Sequence, residues 1–239
     1  MNRFVLITGA DRGVGLELVK AFLKEGDTVF AGQYLSAWNL LNSLKKEYSN
    51  KLHIIDLDIS SDESTVACEK YISTITDKLD ILINNGAILG DIGATILSDI
   101  NFDEIQKVFN VTALGALRMS NKHIQSILKS HKKLIVNISS EAGSINNCER
   151  KSWFAYCMSK AALNMQSVMV HNEIKEQGGQ VMVIHPGWVK SYMQGKLDEE
   201  GELTPEQSAA SILKLIENSN EYKGEKPVYL DYSGKKMEW

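Results

Sequence analysis

The chain has 239 residues, 44% of them hydrophobic and 23% charged, and carries a formal net charge of −4. This length suits one α/β domain with a sizeable core, and the acidic balance, with no basic run beyond Lys129-Ser130-His131-Lys132-Lys133, leaves no electrostatic footprint for nucleic acid. No window approaches 18 consecutive apolar residues, so no membrane span is expected, and Met1-Asn2-Arg3 leads into an apolar run without the pattern of a signal peptide.

The first apolar run, Phe4-Val5-Leu6-Ile7, is continuous and bounded by a turn, as in a strand buried on both faces. It enters Thr8-Gly9-Ala10-Asp11-Arg12-Gly13-Val14-Gly15, and a helical pattern follows with Leu16, Val19, Phe22 and Leu23 apolar. Strand, glycine turn and helix start make a phosphate site: glycines let the backbone approach a pyrophosphate, and the free N–H groups of the helix start point at it. The spacing of Gly9, Gly13 and Gly15 is looser in its first gap and tighter in its second than G-x-G-x-x-G. Strands are expected at 3–8, 28–32, 52–56, 80–84, 133–139, 180–185 and 227–231, and helices near 13–25, 36–48, 62–76, 102–130, 153–178 and 204–219. This alternation predicts a Rossmann-like, doubly wound parallel sheet of seven strands between two helical layers, spanning 1–239 as one domain. Pro186, Pro205 and Pro227 fall after a strand, at a helix start and at a strand start, all positions that tolerate proline.

In the predicted helix 153–178, Tyr156 and Lys160 stand four residues apart and so share a face. A free tyrosine titrates near pH 10, and a neighbouring cation lowers that value. A shift of ~2 units takes about 2.7 kcal/mol, within reach of one close and partly desolvated charge, and makes the phenol a usable acid or base. Cys68, Cys148 and Cys157 are odd in number and form no C-x-x-C, as expected of reduced thiols in a cytoplasmic protein. The five histidines lack metal-ligand spacing, so no metal is expected.

Thr8-Gly-x-x-x-Gly-x-Gly15 together with Tyr156-x-x-x-Lys160 resembles the short-chain dehydrogenase/reductase family over essentially the whole chain. The closing stretch Pro227-Val228-Tyr229-Leu230-Asp231-Tyr232-Ser233-Gly234, with Trp239, resembles its carbonyl reductase-like branch, which includes the sniffer and C-factor proteins. The resemblance implies hydride transfer between a nicotinamide cofactor and a small carbonyl or alcohol. Tyr156 would be the acid–base, Lys160 would tune it and bond the nicotinamide ribose, and Ser140, with Ser139 as the fallback, would polarise the carbonyl. Asn110 would sit at a helix kink and serve a proton relay to the lysine. The segment between Ser140 and Tyr156 is longer than in compact members, and its surplus around 146–151 is expected to form a loop at the site mouth.

Cofactor contacts are implied in the same way. Gly9, Gly13, Val14 and Gly15 would cradle the pyrophosphate. No carboxylate follows the second strand at Gln33 or Tyr34, and Arg12 matches the basic position of NADP-preferring members, so NADP(H) is favoured over NAD(H). Asp58 would bond the adenine amino group and Ile59 pack on the ring. Asn84 would tie strands and face the adenosine ribose, with Gly86 beside it, in a segment where Asn-Asn-Gly-Ala stands for the family's Asn-Asn-Ala-Gly. Pro186, Val189 and Ser191 match the segment that holds the nicotinamide carboxamide. Trp188, Tyr192 and Met193 are pocket or packing residues, and His185 and Cys157 are expected to pack rather than react. The resemblance also implies a homodimer or homotetramer built on helices 102–130 and 153–178. The alternatives are a regulatory cofactor binder on the same fold and a sugar-nucleotide epimerase or dehydratase, whose chains carry a larger C-terminal region.

Overall fold

Each short apolar run forms a strand whose neighbours cover both faces. In the computed structural model, which describes residues 2–239, these are β1 (Phe4–Ile7), β2 (Thr28–Gln33), β3 (Leu52–Asp56), β4 (Ile81–Asn84), β5 (Leu134–Ile138), β6 (Gln180–His185) and β7 (Val228–Asp231). They make one parallel sheet in the order β3-β2-β1-β4-β5-β6-β7. The chain therefore winds outward from β1 in both directions. A crevice opens where the order reverses, beyond the carboxyl ends of β1 and β4.

Alternation of side chains along each strand divides the core into two layers. Val5, Ile7, Val29, Ala31, Ile81 and Ile83 face helices α1 (Gly13–Lys24), α2 (Leu40–Glu47) and α7 (Pro205–Glu217), meeting Leu18, Phe22, Leu41, Ile212 and Ile216. Leu6, Phe30, Leu82, Ile135 and Val181 face the other way, toward Cys68 and Ile72 of α3 (Asp62–Ser73), Met119 and Ile127 of α5 (Gly115–Lys129), and Ile174 of α6 (Phe154–Ile174). Most of these side chains are fully buried, each a gain of about 1.5–3 kcal/mol over exposure. The helix ends follow local chemistry. Thr204 and Gln207 close a capping box that brackets Pro205, and Ser61 caps α3 by accepting from the Ser64 N–H.

Two predicted helices are interrupted. The stretch expected as 102–130 is α4 (Phe102–Phe109), a π-helical turn over Asn110–Leu114, and then α5. At the junction a Cβ on Gly115 would lie 2.8 Å from Ile59 Cγ1, so glycine lets this helix press on the link after β3. The stretch expected as 36–48 opens with a 3-10 turn over Ser36–Trp38, and Asn39 then takes a left-handed φ of 41° before α2 begins. Asparagine tolerates that conformation. Among the described residues no helix is long and apolar enough to cross a membrane, and no group of three or more His, Cys, Asp or Glu side chains is placed to hold a metal ion.

Candidate active site

A cavity of about 980 Å³ lies along the carboxyl ends of the strands. One end is the glycine turn. Gly9 (φ 62°) and Gly13 (φ 56°) take left-handed backbone that only glycine adopts freely, and a Cβ on Gly15 would fall 2.2 Å from the Gly9 carbonyl oxygen. Helix α1 begins at Gly13 behind an extended Arg12, with no side chain capping it. Its first N–H groups, on Gly13, Val14 and Gly15, therefore border the cavity with the positive end of the helix dipole. That is a fit for a pyrophosphate, tested on the backbone itself.

The Asn84-Asn85-Gly86-Ala87 segment is clamped to this turn. Thr8 Oγ1 accepts from the N–H groups of Asn85 and Gly86, both at 3.0 Å, and Asn85 Nδ2 donates to the carbonyls of Thr8 and Gly9 at 3.0 Å. Asn84 does something else. Its Nδ2 donates to Asn137 Oδ1 (2.8 Å) and Ser120 Oγ (3.2 Å), and the side chain is buried away from the cavity. Asn84 thus ties β4 to β5 and α5 from outside the cavity lining, and Asn85 and Gly86 form the wall. Gln33 is placed in the same way. It is buried at the end of β2 and outside the lining, while Tyr34 and Leu35 reach it.

The same corner holds a carboxylate from the glycine turn rather than from 33 or 34. Asp11 is buried, accepts from the Tyr34 N–H at 3.3 Å, and pairs with Arg12 Nη1 at 2.9 Å. The Arg12 guanidinium also lies 5.3 Å from the Trp38 ring centroid, and Trp38 meets Tyr192 edge-on at 4.9 Å. Asp58 and Ile59 line the next part of the wall, with Asp58 Oδ1 accepting from the N–H and hydroxyl of Ser60.

At the other end stand Tyr156 and Lys160. Lys160 Nζ is 5.5 Å from the Tyr156 ring centroid and donates to the Ile138 carbonyl at 2.8 Å. Both side chains are buried. Burial pulls the lysine down to about 7 and pushes the tyrosine above its usual value, a rise that the adjacent Ser140 hydroxyl opposes. Desolvation penalises ammonium and phenolate alike, so burial, and not Lys160, sets the direction of the Tyr156 shift in this arrangement. Ser140 lines the cavity, and Tyr229 donates a hydrogen bond to its carbonyl. Ser139 also borders the cavity, but its hydroxyl is engaged, donating to Asn164 Oδ1 at 2.6 Å.

Asn110 starts the π-helical turn and lines the cavity. Arg118 Nη2 donates to its Oδ1 at 2.8 Å, and Asn110 Nδ2 donates to the Ser60 carbonyl at 3.4 Å. Its amide is thereby held without direct contact to Lys160. Pro186, Val189 and Ser191 follow β6 along the cavity, with Trp188, Tyr192 and Met193 beside them. His185 borders it too, with Nδ1 buried and unpartnered, and burial lowers its pKa. Burial raises the Cys157 thiol, which packs against Tyr156 and Leu89. The expected mouth loop is present. From it Arg150 pairs with Glu141 at 2.8 Å and lies over the Trp153 ring, and all three border the cavity.

Comparison with known proteins agrees with this geometry. Residues 3–202 match the short chain dehydrogenase family. An uncharacterised oxidoreductase of Schizosaccharomyces pombe is 32% identical over 233 residues, covering 91% of each chain. The NADPH-bound carbonyl reductase from chicken fatty liver superimposes with a TM-score of 0.87 at 28% identity, covering 100% of this chain and 99% of its own. The carbonyl reductase Sniffer of Drosophila melanogaster shares the fold, with a TM-score of 0.90 at 24% identity over 100% of both chains. The chain belongs to the short-chain dehydrogenase family and is an NAD(P)-dependent oxidoreductase.

Proposed function

We propose that this short-chain dehydrogenase is a carbonyl reductase that prefers NADP(H) and can accept NAD(H), acting as one cofactor-binding and catalytic unit. The observation that carries the reading is the convergence of Tyr156, Lys160 and Ser140 in the same cavity as the uncapped start of α1. The bound nicotinamide supplies or accepts the hydride, and the chain supplies the rest. The N–H groups of Gly13, Val14 and Gly15 hold the pyrophosphate, Asp58 and Ile59 the adenine, and Pro186, Val189 and Ser191 the nicotinamide carboxamide.

Burial keeps Tyr156 protonated at neutral pH, so it enters the reductive direction as the acid. Its proton goes to the carbonyl oxygen, and Ser140 donates a hydrogen bond where charge develops there. Lys160 titrates near neutrality and so can hold or release the proton that restores Tyr156. Asn110, held by Arg118 at the π-helical turn, flanks this route. A purely regulatory cofactor binder needs the glycine turn but has no use for this buried set.

Cofactor choice rests on Arg12 and on the absence of a carboxylate at Gln33 or Tyr34. Asp11 offsets part of the Arg12 charge, so the preference for NADPH over NADH is expected to be about tenfold, or ~1.4 kcal/mol. Three free thiols support a cytoplasmic setting. Leu114 and Leu117 with α5, and Met158, Met165 and Met169 along α6, are exposed apolar side chains that support a homodimer or homotetramer paired through these helices. Sedimentation should give an assembly, and a concentration-independent monomer would refute that pairing. Turnover on a panel of aldehydes and ketones with NADPH and NADH tests the activity: none on any member, with cofactor binding intact, would reject it.

A further inference from the structure

Among the described residues three other than glycine take a left-handed φ: Asn39, Lys133 and Trp153. Asparagine tolerates that region, and Lys133 sits in the turn before β5. Trp153 is different. It occupies φ 70°, ψ 28° at the N-cap of α6, with no side-chain capping bond. A bulky residue there is an outlier, and a helix start favours Ser, Thr, Asp, Asn or Gly in extended backbone. Local stability gives no reason for this choice, and strain of this kind persists where surrounding contacts over-determine it.

Those contacts join Trp153 to both sides of the reacting position. Its ring meets Tyr156 edge-on, with centroids 6.2 Å apart at 67°. The Arg150 guanidinium lies 5.1 Å from its centroid, and Arg150 is anchored to Glu141, the residue after Ser140. Trp153 is half-buried and borders the cavity with Leu89. A carbonyl whose oxygen lies at Tyr156 and Ser140 has this wall beside its body. With Glu141 partnering Arg150, the wall offers aromatic surface rather than an unpaired charge.

We propose that Trp153 is a specificity-determining plate, held in strained backbone to select uncharged carbonyl compounds with a flat aromatic body. The inference rests on the carbonyl reductase reading for the position of the substrate oxygen. Its test compares 2-naphthaldehyde with butanal, using the parent, Trp153→Gly, which accepts left-handed backbone, and Trp153→Phe, which keeps a ring. Binding is measured by calorimetry on NADP⁺-loaded protein, where reduction does not occur, and turnover is measured with NADPH. The parent should bind 2-naphthaldehyde more tightly than butanal. Trp153→Gly should weaken the aromatic aldehyde by about tenfold, chiefly in KM, and leave butanal within about twofold; Trp153→Phe should keep most of the preference. Equal weakening of both aldehydes in Trp153→Gly, no weakening of either, or no preference in the parent overturns the proposal. A parent that shows the binding preference but reduces neither aldehyde supports the plate and refutes the reductase reading.

Discussion

The two ends of the cavity are built from different materials. The phosphate end is made of backbone: left-handed glycines, the bare start of α1, and the Asn85 clamp on Thr8 and Gly9. The reacting end is made of buried side chains whose charges are costly in place, Tyr156 pushed up and Lys160 pulled to about 7. The first can be preorganised without titratable groups, because N–H dipoles need no protonation. The second must move a proton, so its groups sit where small changes of environment shift their titration. Damage at the two ends should therefore separate: binding at one, turnover and pH response at the other.

The largest separation is expected from Tyr156→Phe. The hydroxyl alone is lost, so cofactor affinity should be nearly intact, while carbonyl reduction falls by roughly 10²–10⁴-fold. Lys160→Met should impair both, because it removes the proton-handling amine and the proposed ribose contact. Fluorescence titration of NADPH beside steady-state kinetics reads the pair. Normal turnover by Tyr156→Phe on a substrate the parent reduces would break the assignment.

Next comes the pH response of stability. Lys160 titrates near 7 when folded and near 10.5 when unfolded, so between those values the unfolded chain binds more protons. Stability then rises with pH, by up to about 1.4 kcal/mol per unit from this group. Below pH 7 both states are protonated and the buried charge exerts its full cost. Burial raises Tyr156 and Cys68, which act in the opposite direction at higher pH, so the useful window is about pH 7 to 9. Denaturant melts of the parent should climb across that window relative to Lys160→Met. Parallel curves would mean that Lys160 does not titrate there.

At the phosphate end, Gly15→Ala places a Cβ where the Gly9 carbonyl already lies. Relieving that clash costs roughly 1–3 kcal/mol and must move the turn, so NADPH and NADH should both weaken. Isothermal titration showing unchanged affinity for both would argue that the turn does not carry the pyrophosphate.

The contrast also explains what could be read before folding. Phe4–Ile7, Thr8–Gly15 and Tyr156-x-x-x-Lys160 are local patterns, and the expected strands appear with boundaries shifted by at most one residue. The break at Asn110 was reachable only by resemblance, since apolar periodicity runs through 102–130 without a stop. The site's remaining residues depend on contacts between distant segments. Asp11 reaches Tyr34 across two strands, Arg118 holds Asn110, and Tyr229 of β7 holds the Ser140 carbonyl. No local pattern announces these. Asn84 and Gln33 lie outside the cavity lining for a simpler reason: along a strand, alternate side chains face opposite sides, and a shift of one residue exchanges wall for core.

The smallest effect expected is also the finest test of the phosphate end. Asp11 is buried beside Arg12, with one carboxylate oxygen on the Tyr34 N–H and the other on the guanidinium. If Arg12 receives the extra phosphate of NADP(H), this carboxylate weakens that interaction by partial neutralisation and by its own like charge. Asp11→Asn keeps the size and one acceptor oxygen and removes the charge. The ratio of NADPH to NADH affinity should rise by several-fold, bounded by the ~1.4 kcal/mol scale set for the preference itself, with kcat on a common carbonyl substrate little changed. Arg12→Ala should lower the same ratio toward one. The double variant should lie at or slightly above Arg12→Ala, because removing the carboxylate also removes its own repulsion of the extra phosphate. A ratio that falls in Asp11→Asn would mean that the carboxylate aids NADP(H) by positioning Arg12, whereas a rise that comes from weaker NADH binding, with NADPH binding unchanged, would assign it to the ribose hydroxyls.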